Sequence, residues 1–198
     1  MALRFRRNFF VSSLLALGLT SGAAAQARMY VLDGNTSTLR FSCDLLGMMP
    51  IEGAFTRFIA MISIDPAAPG EARAVVKVDA RSLEAHDSRW LDDLKGEAFF
   101  DIERHPQFGF ESFAATVVQP GVLKVRGQLT LRGVSRPVTL NVRYTLPGAG
   151  SDMDTTIEAR GEVDRTDFGM DSYRAFVSDD VEIQVEGRPV MALPSPEP

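Results

Sequence analysis

The sequence has 198 residues, 45% of them apolar and 24% charged, with 21 basic and 26 acidic side chains and a formal net charge of −5. One domain is the expectation at this length, and the apolar content is too high and the net charge too modest for a disordered chain. The acidic balance argues against nucleic acid as a partner, and one cysteine and two histidines exclude a disulfide framework, a Cys-based zinc site and a His-rich metal centre.

Arg4, Arg6 and Arg7 open the chain, Phe9 to Leu19 continues it without a charge, and Ala23-Ala24-Ala25 supplies the small residues a signal peptidase needs. Residues 1–25 therefore read as a cleaved secretory signal, with cleavage after Ala27 as the alternative. Arg6-Arg7-Asn8-Phe9 partly matches a twin-arginine signal. Losing three arginines leaves 18 basic against 26 acidic residues, net −8. No remaining stretch reaches the roughly 18 apolar residues of a membrane span. Cys43 reads as a small buried apolar residue.

Period-2 alternation dominates the remainder of the chain. Leu39–Asp44, Gly53–Ile64, Arg73–Arg81 and Gln107–Val118 read as strands, with Phe41, Phe58, Ile62, Val76, Val78, Phe108 and Phe110 on one parity. One segment breaks the pattern. Between Glu84 and Glu97, Trp90, Leu91 and Leu94 are spaced for a short helix, with Ser82 or Asp87 to cap it and Gly96 to end it. Alternation returns in Leu123–Leu131, Val138–Leu146, Ile157–Asp164 and Val181–Glu186. Turn signals such as Asp65-Pro66, Pro120-Gly121, Arg132-Gly133 and Pro147-Gly148 separate the runs too closely for parallel crossovers. The expected fold is all-β: an antiparallel barrel of about eight strands with the short helix over one end. The domain is placed at residues 26–190, with 191–198 as a loose, proline-rich tail.

Catalytic patterns are absent. There is no Gly-x-Ser-x-Gly and no His-Glu-x-x-His, and Asp152 with Asp154 lacks the glycine and closing glutamate of a calcium loop. His86 beside Asp87 reads as an exposed helix start, and His105 before Pro106 as a turn. What remains is a very apolar inner face rich in phenylalanine, which a small barrel uses either as plain core or as the wall of a ligand tunnel.

Several segments in order resemble one family. Tyr30-Val31-Leu32-Asp33 with Ser37-Thr38-Leu39-Arg40-Phe41 looks like its opening strand. Gly53-Ala54-Phe55-Thr56-Arg57-Phe58 resembles its Gly-x-Phe-x-x-Phe segment. Phe99-Phe100-Asp101, Pro106 and Phe108-Gly109-Phe110-Glu111-Ser112 resemble its Phe-Phe-Asp, Pro, Phe-x-Ser run. Gly127-Gln128-Leu129-Thr130-Leu131-Arg132-Gly133-Val134 with Pro137-Val138 is close to its Gly-x-Leu-Thr-x-x-Gly-Val-x-x-Pro-Val signature. Arg165-Thr166-Asp167-Phe168-Gly169-Met170 and Asp179-Asp180-Val181 resemble its ending. From Tyr30 to Gly187 the chain resembles the YceI family, the bacterial periplasmic polyisoprenoid-binding proteins. The resemblance implies a lipocalin-like barrel in the periplasm, holding an isoprenoid lipid of quinone or polyprenyl type in an apolar tunnel.

On that implication Phe41, Phe55, Phe58, Ile62, Phe108, Phe110, Leu129, Leu140 and Phe168 line the tunnel, and Trp90, Leu94, Phe99 and Phe100 form its lid. No catalytic residue, metal or cofactor is expected. The partners are the lipid itself and, transiently, a membrane, and the protein is a monomer or homodimer. Two positions depart from the family pattern. Trp90-Leu91-Asp92-Asp93-Leu94 stands where many members have a basic-acidic-x-His-Leu run, and Leu45 where many have His before Leu-Gly. This implies a less polar ligand end. Two other readings compete: an enzyme using His86, Asp87 or Arg89 at the barrel mouth, and a stress-related protein-interaction module with a packed interior.

Overall fold

The computed structural model describes residues 27–146 and 155–192. The expected signal at 1–25, the Pro147-Gly148 turn, Asp152 with Asp154, and residues 193–198 of the expected tail lie outside the described residues. The elements are β1 (Arg28–Asp33), β2 (Ser37–Leu45), β3 (Met49–Phe55), β4 (Phe58–Ile64), β5 (Arg73–Asp79), β6 (Leu83–Ala85), α1 (Leu91–Lys95), β7 (Gln107–Gln119), β8 (Val122–Leu131), β9 (Val134–Thr145), β10 (Thr156–Asp164), β11 (Asp180–Gly187) and β12 (Val190–Ala192). They form one sheet in the order β12-β1-β4-β5-β7-β8-β9-β10-β11-β2-β3-β6. Every neighbouring pair is antiparallel.

The all-β antiparallel reading with one short helix stands, but among the described residues the strands number twelve rather than about eight. The run Gly53–Ile64 divides at Thr56-Arg57 into β3 and β4, which lie near opposite ends of the strand order. Joining them through two residues forces the sheet to curl back on itself. The ladder nevertheless ends at β6 and β12, so among the described residues the sheet curls without closing as a hydrogen-bonded barrel. Side chains meet across the interior of the curl: Phe55 of β3 meets Phe108 of β7 with ring centroids 4.8 Å apart. β12 also runs to Ala192 and pairs with β1, two residues beyond the expected domain limit at 190.

Local chemistry explains the corners. Arg132 (φ 51°) and Gly133 (φ 76°) form the two-residue connection of the β8–β9 hairpin, where both central residues need positive φ to match strand twist. Asp87 caps the helical turn Ser88–Trp90 by accepting from the Arg89 amide, and Gly96 ends α1 by donating to the Asp92 and Asp93 carbonyls. Of the two caps the sequence offers, Asp87 is used and Ser82 is not, and Gly96 is the expected stop. The cross-strand rows Phe58·Val78·Phe108 and Ala60·Val76·Phe110·Leu129 carry the inward parity across four strands.

Candidate functional site

The concave face of the sheet encloses two adjoining voids. The first, of about 110 Å³, is lined by residues including Leu39, Phe41, Cys43, Phe55, Leu94, Phe99, Phe100, Phe108, Leu129 and Ile183. The second, of about 80 Å³, is lined by residues including Leu32, Ile62, Ile64, Leu123, Val142, Tyr144 and Ile157. Val76, Phe110, Leu140 and Val185 line both, so these four side chains are the wall between them. The lining is almost wholly apolar. An engineered apolar cavity of about 150 Å³ stays dry and accepts benzene. Each void is smaller than that, so a chain of several isoprene units needs side chains to swing aside.

The first void is walled by a cluster of rings. Phe100 meets Phe41 at 5.2 Å and Phe55 at 5.3 Å, both edge-on, and is stacked with Phe108 at 6.1 Å. Each such pair contributes about 0.5–1.5 kcal/mol beyond area burial. The edge-on pairs fix the walls of the void while leaving its middle open. Phe41 lies over Gly53, its register partner on β3, in the space a β-carbon would take.

Nine of the thirteen residues expected at the ligand line the first void: Phe41, Phe55, Leu94, Phe99, Phe100, Phe108, Phe110, Leu129 and Leu140. Ile62 lines the second. Three line neither. Phe58 is buried in the core cluster beside the void, Phe168 is buried under the helical turn Arg165–Phe168, and Trp90 packs half-buried against the core. Inward parity places these side chains in the apolar interior but does not say which of them border empty space. Of the four residues expected to form a lid, Leu94, Phe99 and Phe100 line the first void and Trp90 does not.

Arg165 lines the first void and was not among the residues expected there from the sequence. It is 1% exposed. Its guanidinium donates to the carbonyls of Ser178 (2.8 Å), Ser172 (2.7 Å), Val177 (3.0 Å) and Met170, and lies 3.1 Å from Asp179 Oδ1. It also sits over the Phe99 ring, 5.9 Å from the centroid. These contacts pin the loop 170–179 against the sheet end, and they commit four of the five guanidinium N–H groups to carbonyls. The signal was the arginine of the Arg-Thr-Asp-Phe-Gly-Met segment, but a charged side chain reads as exposed until the carbonyls that surround it are placed.

Burial pushes the Cys43 thiol up to about 11, against a smaller opposing pull from Arg165. His86 and Glu84 line a groove on the outer face, with Glu52 and Glu182, and do not touch the voids. Asp87 pairs with Arg89 at 2.6 Å, and this contact holds its carboxyl down at about 2. The trio named for the enzyme reading is therefore separated from the interior. Of the two departures from the family pattern, Asp93 is exposed on α1 and Leu45 packs half-buried against the core.

Comparison with known proteins agrees with this architecture. The YceI-like domain profile matches residues 30–188. A UPF0312 protein of Vibrio cholerae is 30% identical, the match covering 88% of this chain and 97% of that protein. The crystal structure of Burkholderia cenocepacia BcnA is similar with a TM-score of 0.71 and 26% identity, over 78% of this chain and 97% of the other. A polyisoprenoid binding domain from Saccharophagus degradans, implicated in plant cell wall breakdown, has the same fold with a TM-score of 0.57 at 12% identity, over 83% of this chain and all of that one.

Proposed function

The chain belongs to the YceI-like domain family, and on that premise we propose that it is a non-catalytic binding protein that carries an isoprenoid lipid, of quinone or polyprenyl type, inside its curled sheet. The observation that carries this reading is the pair of apolar voids divided only by Val76, Phe110, Leu140 and Val185. A chain entering the first void reaches the second by displacing side chains, not backbone. A relative of the same fold is described as polyisoprenoid binding. On this reading the signal at residues 1–25 exports the protein to the periplasm, where a long prenyl tail cannot travel free in water.

Affinity then comes from burial, at about 0.8 kcal/mol per CH₂-sized unit. Part of it is spent on moving the rings of Phe41, Phe55, Phe100 and Phe108. Arg165 gives four of its N–H groups to carbonyls and has its charge met by Asp179, and Ser112 accepts from the Ala74 amide. The walls therefore favour a ligand whose buried end is weakly polar.

The test is a chain-length series of prenyl alcohols. Affinity is expected to rise steeply with each added isoprene unit until both voids are filled. The small volume of the voids is the one observation that favours a packed-interior interaction module instead. That reading predicts no dependence on chain length.

A further inference from the structure

At the end of the sheet where Phe99 walls the first void, five large apolar side chains face solvent together. Leu46, Met48 and Met49 lie at the β2–β3 hairpin tip, with exposures of 55%, 82% and 54%, and Tyr173 and Phe176 lie in the loop 170–179, at 45% and 57%. The two segments are tied to each other. The Leu46 amide donates to the Phe176 carbonyl at 2.6 Å, the Ser178 amide donates to the Asp44 carbonyl at 2.8 Å, and Leu45 bridges to Val177. Tyr173, at φ 59°, stacks on Phe99 with centroids 5.8 Å apart and planes 11° from parallel. The exposed patch and the void wall are therefore continuous through one pair of rings. A soluble domain seldom leaves so many large apolar groups in one exposed cluster without a use for them.

We infer that this double tip is a membrane-contact surface, which enters the interfacial layer of a lipid bilayer without relying on anionic headgroups. Charge selects the occupant. From Leu45 to Ile51 there is no charged residue. The loop's cation, Arg174, lies 3.0 Å from Asp179 and 3.9 Å from Asp171, so it offers no free positive charge to acidic lipid or to an acidic protein. Form agrees with charge. A stable protein interface needs about 800 Å² of complementary surface on each partner, whereas two projecting tips carrying flexible methionines suit a fluid phase that moulds to them. Tyr173 and Phe176 are of the aromatic type that settles at the bilayer–water boundary. The inference goes beyond the carrier reading, since contact with a bilayer stands whatever the cargo.

The experiment is flotation of protein recovered from the periplasmic fraction with neutral phosphatidylcholine vesicles, at low and at about 1 M salt, where charge effects are screened. The native protein is expected to float equally at both salts. Met48→Asp is expected to lower the bound fraction by about tenfold or more. Val118→Asp, a charge placed at another exposed apolar site, is expected to change nothing. Both variants should bind short prenyl alcohols in solution as the native protein does. Absence of flotation, flotation that needs anionic lipid and fails in salt, an equal loss in Val118→Asp, or full flotation of Met48→Asp would each overturn the inference. So would size-exclusion data in which Met48→Asp splits a dimer and leaves flotation intact. Flotation that persists while alcohol binding shows no chain-length dependence would remove the carrier reading and leave this one standing.

Discussion

The Phe110 ring lies directly over Gly127 of the neighbouring strand, in the space where any other residue would place its β-carbon. Phe110 also stands between the two voids. The glycine thus sets how far the ring lies back against the sheet, and so how wide the passage is. Gly127→Ala is expected to push the ring into the passage and to destabilise the fold by about 1–3 kcal/mol through overpacking. Urea unfolding measures the stability loss, and weaker prenyl alcohol binding in the fraction that remains folded reports the narrowed passage.

Leu140 lines both voids from β9. Leu140→Trp should fill the junction with an indole while the hydrogen-bonded ladder persists. The expected result is at least tenfold weaker binding of long prenyl alcohols, about 1.4 kcal/mol or more, with an unchanged far-ultraviolet circular dichroism spectrum. Undiminished binding in the folded variant would show that the ligand does not run past Leu140.

Arg165 is a buried cation held by four loop carbonyls and by Asp179. Arg165→Met removes the charge but leaves those acceptors without a donor. The expected cost is about 1–3 kcal/mol or more, the usual penalty for leaving a buried acceptor without its donor. Hydrogen exchange should locate the first loss of protection in residues 170–179. Uniform loss across the sheet, with no local effect in this loop, would contradict the staple role.

Cys43 gives a pH signature. Burial raises its thiol from the ordinary 9.0 to about 11 in the fold. Between those values the unfolded chain has released the proton and the folded chain still holds it. Stability from this group is therefore full below pH 9 and falls as pH rises towards about 11. Thermal melts across that window should show the fall, and a Cys43→Ala variant should show less of it. Because Cys43 also lines the first void, a bound prenyl chain should slow its alkylation further.

Much of the architecture was legible because alternation encodes which face is inward. It placed Phe41, Phe108, Leu129 and Leu140 on the apolar side, and the Arg132-Gly133 turn and the Asp87 cap fell where the residues demanded them. The short edge strands β6 and β12 were not read, since three residues carry too little alternation to show a period. The split of Gly53–Ile64 was hidden because Thr56-Arg57 contains neither glycine nor proline, and the tertiary curl of the sheet bends the chain there without a turn. Phe58 and Phe168 were read correctly as interior and wrongly as void lining, because a side-chain parity contains no information about where packing leaves a gap. Arg165 was hidden for a related reason: its partners are backbone carbonyls brought together only by the fold.

The most direct test of the central claim is extraction of the protein from its native cells, followed by mass spectrometry of the organic phase. One isoprenoid species is expected, near one molecule per chain, retained by the native protein and lost in Leu140→Trp. Lipid-free protein that also fails to take up prenyl alcohols, or a polyprenyl pyrophosphate as the main species, would contradict respectively the carrier reading and the weakly polar ligand end assigned to it.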